Sequence, residues 1–159
     1  MILIDTNVLV YAVNTAAPQH KESRSFVEAA RRGDFPAVLV PQVLLEFYAV
    51  VTGNRVEHPL APETALEEVK ILRSVFPVLE ASSDALERLN EILSRHPGIR
   101  GGNVFDAWLA AQMKSLGIPA ICTYNTADFG RYDDITAAAP GEIFVATGES
   151  NGPETGGDA

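Results

Sequence analysis

The chain has 159 residues, 21 of them acidic against 12 basic, for a formal charge of −9 and a pI near 4.7, which excludes a protein that coats nucleic acid through clustered Lys and Arg. A hydrophobic content of 47% and a mean hydropathy of +0.07 predict one domain with a sizeable core and no second domain. The single cysteine, Cys122, cannot form an internal disulfide, which fits a reducing cytosol, and no apolar run approaches the roughly 18 residues of a membrane span.

Ile2, Leu3 and Ile4 read as a short apolar strand that delivers Asp5, and Thr6-Asn7 turn it into a helix through Val8, Leu9, Tyr11 and Ala12. A carboxylate between two aliphatic runs needs a cap, a donor or a cation. The carboxyl edge of an open α/β sheet is where ligands bind; plain capping of the helix is the alternative. Residues 20–32 read as an amphipathic helix closed by Gly33, and residues 37–40 as a second strand. Pro41 opens a helix that ends near Gly53, in which Glu46 is the only charge, so its carboxylate is expected to be buried or to face a cleft.

Residues 54–62 form a polar connection, residues 63–76 a helix, and residues 78–79 a third strand. Ser82 or Ser83 is expected to cap a helix over residues 84–95. After a loop through Gly101-Gly102 comes a helix from Asn103 to near Gly117, with Asp106 set among apolar residues. A capping box between Asn103 and Asp106 is the plain alternative for that acid. Residues 119–123 read as a fourth strand entering a polar turn at 124–129, which carries Asn125 and Asp128; closure of an Asx-type turn is the plain role for Asp128. Residues 142–145 are a candidate last edge strand. Residues 147–159 lack any large apolar side chain and read as a disordered tail, leaving a domain over 1–146. Strands alternating with helices predict an α/β fold, a mostly parallel central sheet of four to five strands flanked by helices.

Asp5, Glu46, Asp106 and the Asn125/Asp128 pair each follow a buried strand or interrupt an apolar helix. Where such carboxylates converge, a pair at ~4 Å and an effective dielectric of ~20 repels by about 4 kcal/mol. A hard divalent cation would offset this. Oxygen donors without His or Cys in the pattern favour Mg²⁺, with Mn²⁺ as substitute, over Zn²⁺; His20, His58 and His96 read as surface residues.

Four stretches together resemble the ordered motifs of PIN-domain ribonucleases: Ile-Asp-Thr-Asn at 4–7, Glu46 after Val-Pro-Gln-Val-Leu-Leu, Phe-Asp-Ala-Trp-Leu-Ala-Ala at 105–111, and Thr-Tyr-Asn-Thr-Ala-Asp-Phe at 123–129. The bare domain is most similar to VapC-type toxins of bacterial toxin–antitoxin pairs, over Met1 to about residue 145. The resemblance implies a PIN fold, Mg²⁺-dependent cleavage of RNA, a cytoplasmic location, homodimerisation and inhibition by a VapB-like antitoxin. It maps Asp5, Glu46 and Asp106 onto the family's metal-binding acids. Asn125 stands where an acid is often found, and Asp128 is the candidate to take over that catalytic role. Thr6, Asn7, Thr123 and Asn125 suit the orienting of acids or phosphate oxygens, and Arg55 and Arg100 a track for RNA. Two alternatives differ in class. A phosphoreceiver-type signalling domain would want paired acids after the first strand and a late Lys, but only Asp5 stands there and no Lys follows Lys114. A catalytically inactive PIN-like binding module has no need of all three acids.

Overall fold

The aliphatic run Ile2–Ile4 forms β1, and its Leu3 and Ile4 are fully buried, as in a parallel strand covered on both faces. The computed structural model describes residues 1–147, with side chains as far as residue 144. In chain order follow α1 (Thr6–Val13), α2 (His20–Arg32), β2 (Ala37–Val38), α3 (Pro41–Val51), α4 (Pro62–Val75), α5 (Ala85–Arg95), α6 (Asn103–Leu116), β3 (Ala120–Cys122), α7 (Thr126–Phe129), β4 (Thr136–Ala138) and α8 (Pro140–Thr147). The four strands pair in parallel in the order β2-β1-β3-β4. From β1 the chain goes to β2 on one side, and β3 later docks on the other. The strand order therefore reverses at β1, where open α/β sheets bind ligands.

Register decides what meets at that edge. Ile4 pairs with Cys122, and the Asp5 amide donates to the Cys122 carbonyl at 3.0 Å. The residues that follow each strand, Asp5 and Thr123, thus stand side by side. Helix α3 starts on Pro41, whose missing N–H is harmless at a first turn. It buries Val43, Leu44, Phe47 and Val51 at helical spacing, leaving Glu46 on the flank of the buried stripe. Helix α6 buries Ala107 and Leu109 to Met113 and closes on Gly117, whose φ of 65° favours glycine.

The structure corrects several expectations. Residues 142–145 are not a strand. Pro140 opens α8, Glu142 accepts the Ala139 amide at 2.8 Å as a cap, and Ile143 packs into the core. The fourth strand is instead β4, whose Thr-Ala-Ala carries little β preference of its own. Its place comes from β3: the Thr136 amide donates to Pro119 at 2.8 Å, and Ala138 accepts the Thr123 amide at 2.9 Å. Residues 78–79 form only a bridge, with Val78 opposite Leu39. The polar turn at 124–129 contains the short helix α7. Helix α5 has Asp84 at its N-cap position with no side-chain cap; the Ser82 hydroxyl donates to the Asp84 carboxylate at 2.5 Å instead. Thr147, counted with the tail, ends α8, and the rest of the expected tail, 148–159, lies outside the described residues.

Candidate active site

Asp5 is at once the N-cap of α1 and a buried acid. Its extended backbone, with ψ 154°, lets Oδ1 accept the Thr6 amide at 2.7 Å. Its Oδ2 accepts the Thr123 hydroxyl at 2.6 Å and the Asn7 side-chain amide at 2.8 Å. Thr123, fully buried, in turn accepts from Asn7 at 3.1 Å and from the Asn125 amide at 2.9 Å. Asn7 Oδ1 accepts the Tyr124 amide at 3.2 Å, so α1 is tied to the segment after β3. Despite three donors, burial dominates. It raises the Asp5 pKa from 3.8 to about 6, against the bonds from Thr123 and Thr6 and with added repulsion from Asp106 and Glu46.

Glu46 reaches the same place from α3. Its Oε2 accepts the Thr6 hydroxyl at 3.2 Å and its Oε1 the Gln42 amide at 2.7 Å. Asp106 comes from the first turn of α6, whose N-cap is Gly102 and which no side chain caps. The capping box with Asn103 is therefore not formed, which removes the plain role for this acid. Its carboxylate accepts no hydrogen bond from a described residue. Partial burial raises its pKa first, then the fields of Asp128 and Glu46, with Arg131 opposing.

Asp5, Glu46 and Asp106 line one cleft of about 400 Å³, together with Thr6, Asn7, Asn125 and Arg55. Three sequence candidates do not line it, Thr123 among them: its buried hydroxyl reaches the site only by donating to Asp5. Asp128 is exposed on α7 and pairs with Arg131 at 2.7 Å, acting on the site through its field at Asp106. Arg100 is exposed in the loop before α6. The histidines stay out of the cleft, but His20 and His96 are not plain surface residues: His20 bonds the Tyr11 carbonyl at 3.0 Å, and His96 packs edge-on against Tyr132. Sequence reasoning missed Gln42 and Gln112. The first stands one helical turn before Glu46, and the second is an amide buried to 3% exposure in an apolar helix; both are visible as spacing once looked for.

Among the described residues no three His, Cys, Asp or Glu side chains are already gathered into a metal-holding group. The acids still suit a hard cation. They are oxygen donors converging on one cleft, Glu46 raises the charge cost of both Asp5 and Asp106, and among the described residues Arg55 is the only cationic side chain lining it. Mg²⁺ retains several waters and takes one or two carboxylates directly, so it does not require a closed protein cage.

The raised pKa of Asp5 sets a testable pH dependence. The folded protein binds this proton more tightly than the unfolded chain, so its contribution is complete below about pH 4 and is lost as pH rises through about 6. In EDTA the melting temperature is expected to fall between about pH 4.5 and 7, with Asp5 accounting for up to about 3 kcal/mol. The fall should flatten in Asp5→Asn. Thermal melts in which the wild type gained stability over that range, or lost it no more steeply than the variant, would contradict this.

Comparison with known proteins identifies the family and the fold. The PIN domain family profile matches residues 2–135. Ribonuclease VapC24 of Mycobacterium tuberculosis is 32% identical over 139 residues, covering 82% of this chain and 92% of that protein. Among solved structures, VapBC2 from Rickettsia felis, bound to a promoter DNA fragment, superposes with a TM-score of 0.64 at 19% identity, over 87% of this chain and 98% of its own. VapC20 of Mycobacterium tuberculosis, described as a toxin that cleaves the sarcin–ricin loop, superposes at 0.62 with 20% identity, over 82% and 94%.

Proposed function

The chain belongs to the PIN-domain family, and on that premise we propose that it is a VapC-type endoribonuclease that hydrolyses RNA phosphodiesters with Mg²⁺ and acts as the toxin of a toxin–antitoxin pair. The observation that carries this reading is the shared cleft of Asp5, Glu46 and Asp106, three acids from separate elements meeting at the switch point of a parallel sheet. Family membership sets aside the phosphoreceiver alternative, and the retention of all three acids disfavours an inactive binding module.

Bound there, Mg²⁺, or Mn²⁺ in its place, would supply charge stabilisation for in-line displacement at phosphorus. Asp5, Glu46 and Asp106 would hold the cation, each through oxygen. The donors around Asp5 fix its carboxylate: Oδ2 accepts two hydrogen bonds, while Oδ1 accepts one and keeps a lone pair for a cation. Thr6 bridges the two sides, donating its amide to Asp5 and its hydroxyl to Glu46. Asp106, which accepts no hydrogen bond among the described residues and whose pKa is raised, is the carboxylate suited to accept the proton of the attacking water. Arg55 is placed to contact a phosphate oxygen and Asn125 to bond the backbone of the RNA. Asp128, held by Arg131, tunes Asp106 through space in place of the acid that Asn125 lacks.

The partner in trans would be a VapB-like antitoxin. Exposed Leu45, next to Glu46 on α3, and exposed Phe105, next to Asp106, give apolar surface suited to a protein partner, whether the antitoxin or a second copy in a homodimer. Among the described residues no helix is long and apolar enough to cross a membrane, and cellular RNA as substrate fits work in the cytoplasm. Expression of the wild-type chain in a bacterial host is expected to arrest growth, and co-expression of the small protein encoded beside it to relieve the arrest. Asp5→Ala at matched expression should be harmless. Growth curves that are the same for wild type and Asp5→Ala would remove the toxin reading.

A further inference from the structure

Resting on the metal-dependent reading above, we infer that Gln42 is a positioning residue that brackets Glu46 against the start of α6, setting the spacing of Glu46 and Asp106, and that Gln112 fixes the orientation of the bracket. Gln42 Nε2 donates to Glu46 Oε1 at 2.7 Å and to the Phe105 carbonyl at 3.1 Å. Phe105 immediately precedes Asp106, so one amide group ties the acid of α3 to the backbone that carries the acid of α6. Its other end is also fixed: Gln42 Oε1 accepts from Gln112 Nε2 at 2.7 Å.

The direction of the Gln42 amide follows from all three bonds together. A flipped amide would set its NH₂ against the Gln112 NH₂ and its oxygen against the Glu46 carboxylate and the Phe105 carbonyl, three repulsive contacts in place of three hydrogen bonds. Gln112, with the Phe105 carbonyl, therefore keeps a donor facing Glu46. Its own burial points the same way. An amide at 3% exposure among Ala110, Ala111 and Met113 adds nothing to apolar packing and is tolerated only because it is bonded. Thr6 holds the other Glu46 oxygen from α1, so the carboxylate is fixed at both oxygens while its remaining lone pairs stay available. Partners of this kind around a ligating group typically change metal affinity by about 10- to 100-fold when removed.

Gln42→Leu and Gln112→Leu keep approximate size while removing the bracket and its orienting donor in turn. Calorimetric titration of the purified proteins with MnCl₂ at neutral pH reads the cation directly, without RNA. Gln42→Leu is expected to weaken Mn²⁺ binding by about 10-fold or more, and Gln112→Leu to act in the same direction by less. In cleavage assays both should lower kcat with little change in KM, because neither residue touches the RNA. A purely structural role would lower the melting temperature of the metal-free protein and leave the Mn²⁺ affinity within about twofold. That outcome, with the wild type binding normally, overturns the bracket alone. A wild type that takes up no Mn²⁺ overturns the metal-dependent reading and the bracket with it. Should Gln42→Leu fail to fold, Gln112→Leu decides, because it leaves Gln42 in place with its orientation released.

Discussion

Asp106→Asn is expected to yield a folded protein that cleaves RNA about 100-fold or more slowly than the wild type. The substitution keeps the size of the side chain and removes the charge that a hard cation requires, and loss of a metal-holding carboxylate removes several kcal/mol of charge stabilisation in the displacement. Stability should not suffer. Helix α6 is capped at Gly102 without help from any side chain, and the Asp106 carboxylate sits half-buried under the repulsive fields of Asp128 and Glu46. The metal-free variant is thus expected to melt at or above the wild-type temperature. The difference should appear on adding Mg²⁺: at about 100 times the dissociation constant a bound cation stabilises by about 2.7 kcal/mol, and most of that gain should vanish in the variant. Cleavage within a fewfold of wild type would remove Asp106 from the site. No helix-capping role would be left to explain it.

The acids could be read from the sequence because each violates its local pattern. Asp5 ends an aliphatic run, and Glu46 and Asp106 interrupt apolar helices. Burial of a charge is costly enough that such a violation marks a site. What the local pattern could not supply was the partner. The Thr123 hydroxyl reaches Asp5 across 118 positions only because β1 and β3 pair with Ile4 opposite Cys122, and a register is a property of two strands together. For the same reason β4 was missed and residues 142–145 were misread. Thr-Ala-Ala becomes a strand by pairing with β3, whereas Glu-Ile-Phe-Val, with its apparent strand preference, is drawn into a helix by Pro140 and the Glu142 cap. Tertiary context overrides weak local preference in short elements.

Asp128 and Arg100 show the opposite limit. Both residue types suit the chemistry, but the direction of an exposed side chain is not encoded in spacing. Asp128 turns to Arg131, and Arg100 stays off the wall that Arg55 occupies. Gln42 and Gln112 were passed over because an uncharged amide in an apolar helix breaks the pattern less loudly than an acid. Their role depends on α3 and α6 meeting in space.

The most direct test of the acidic cleft as a cation-dependent nuclease site is cleavage of a defined single-stranded RNA by the purified wild-type protein. Matched reactions contain either millimolar MgCl₂ or excess EDTA. A chain carrying a net charge of −9 has little bulk attraction for RNA, so activity should depend on the cation at the cleft. Cleavage is expected with Mg²⁺, to fall by orders of magnitude in EDTA, and to return when Mn²⁺ is added in excess over the chelator. RNA cut at the same rate in EDTA, or left intact in Mg²⁺ and in Mn²⁺ by folded protein free of antitoxin, would contradict the central claim.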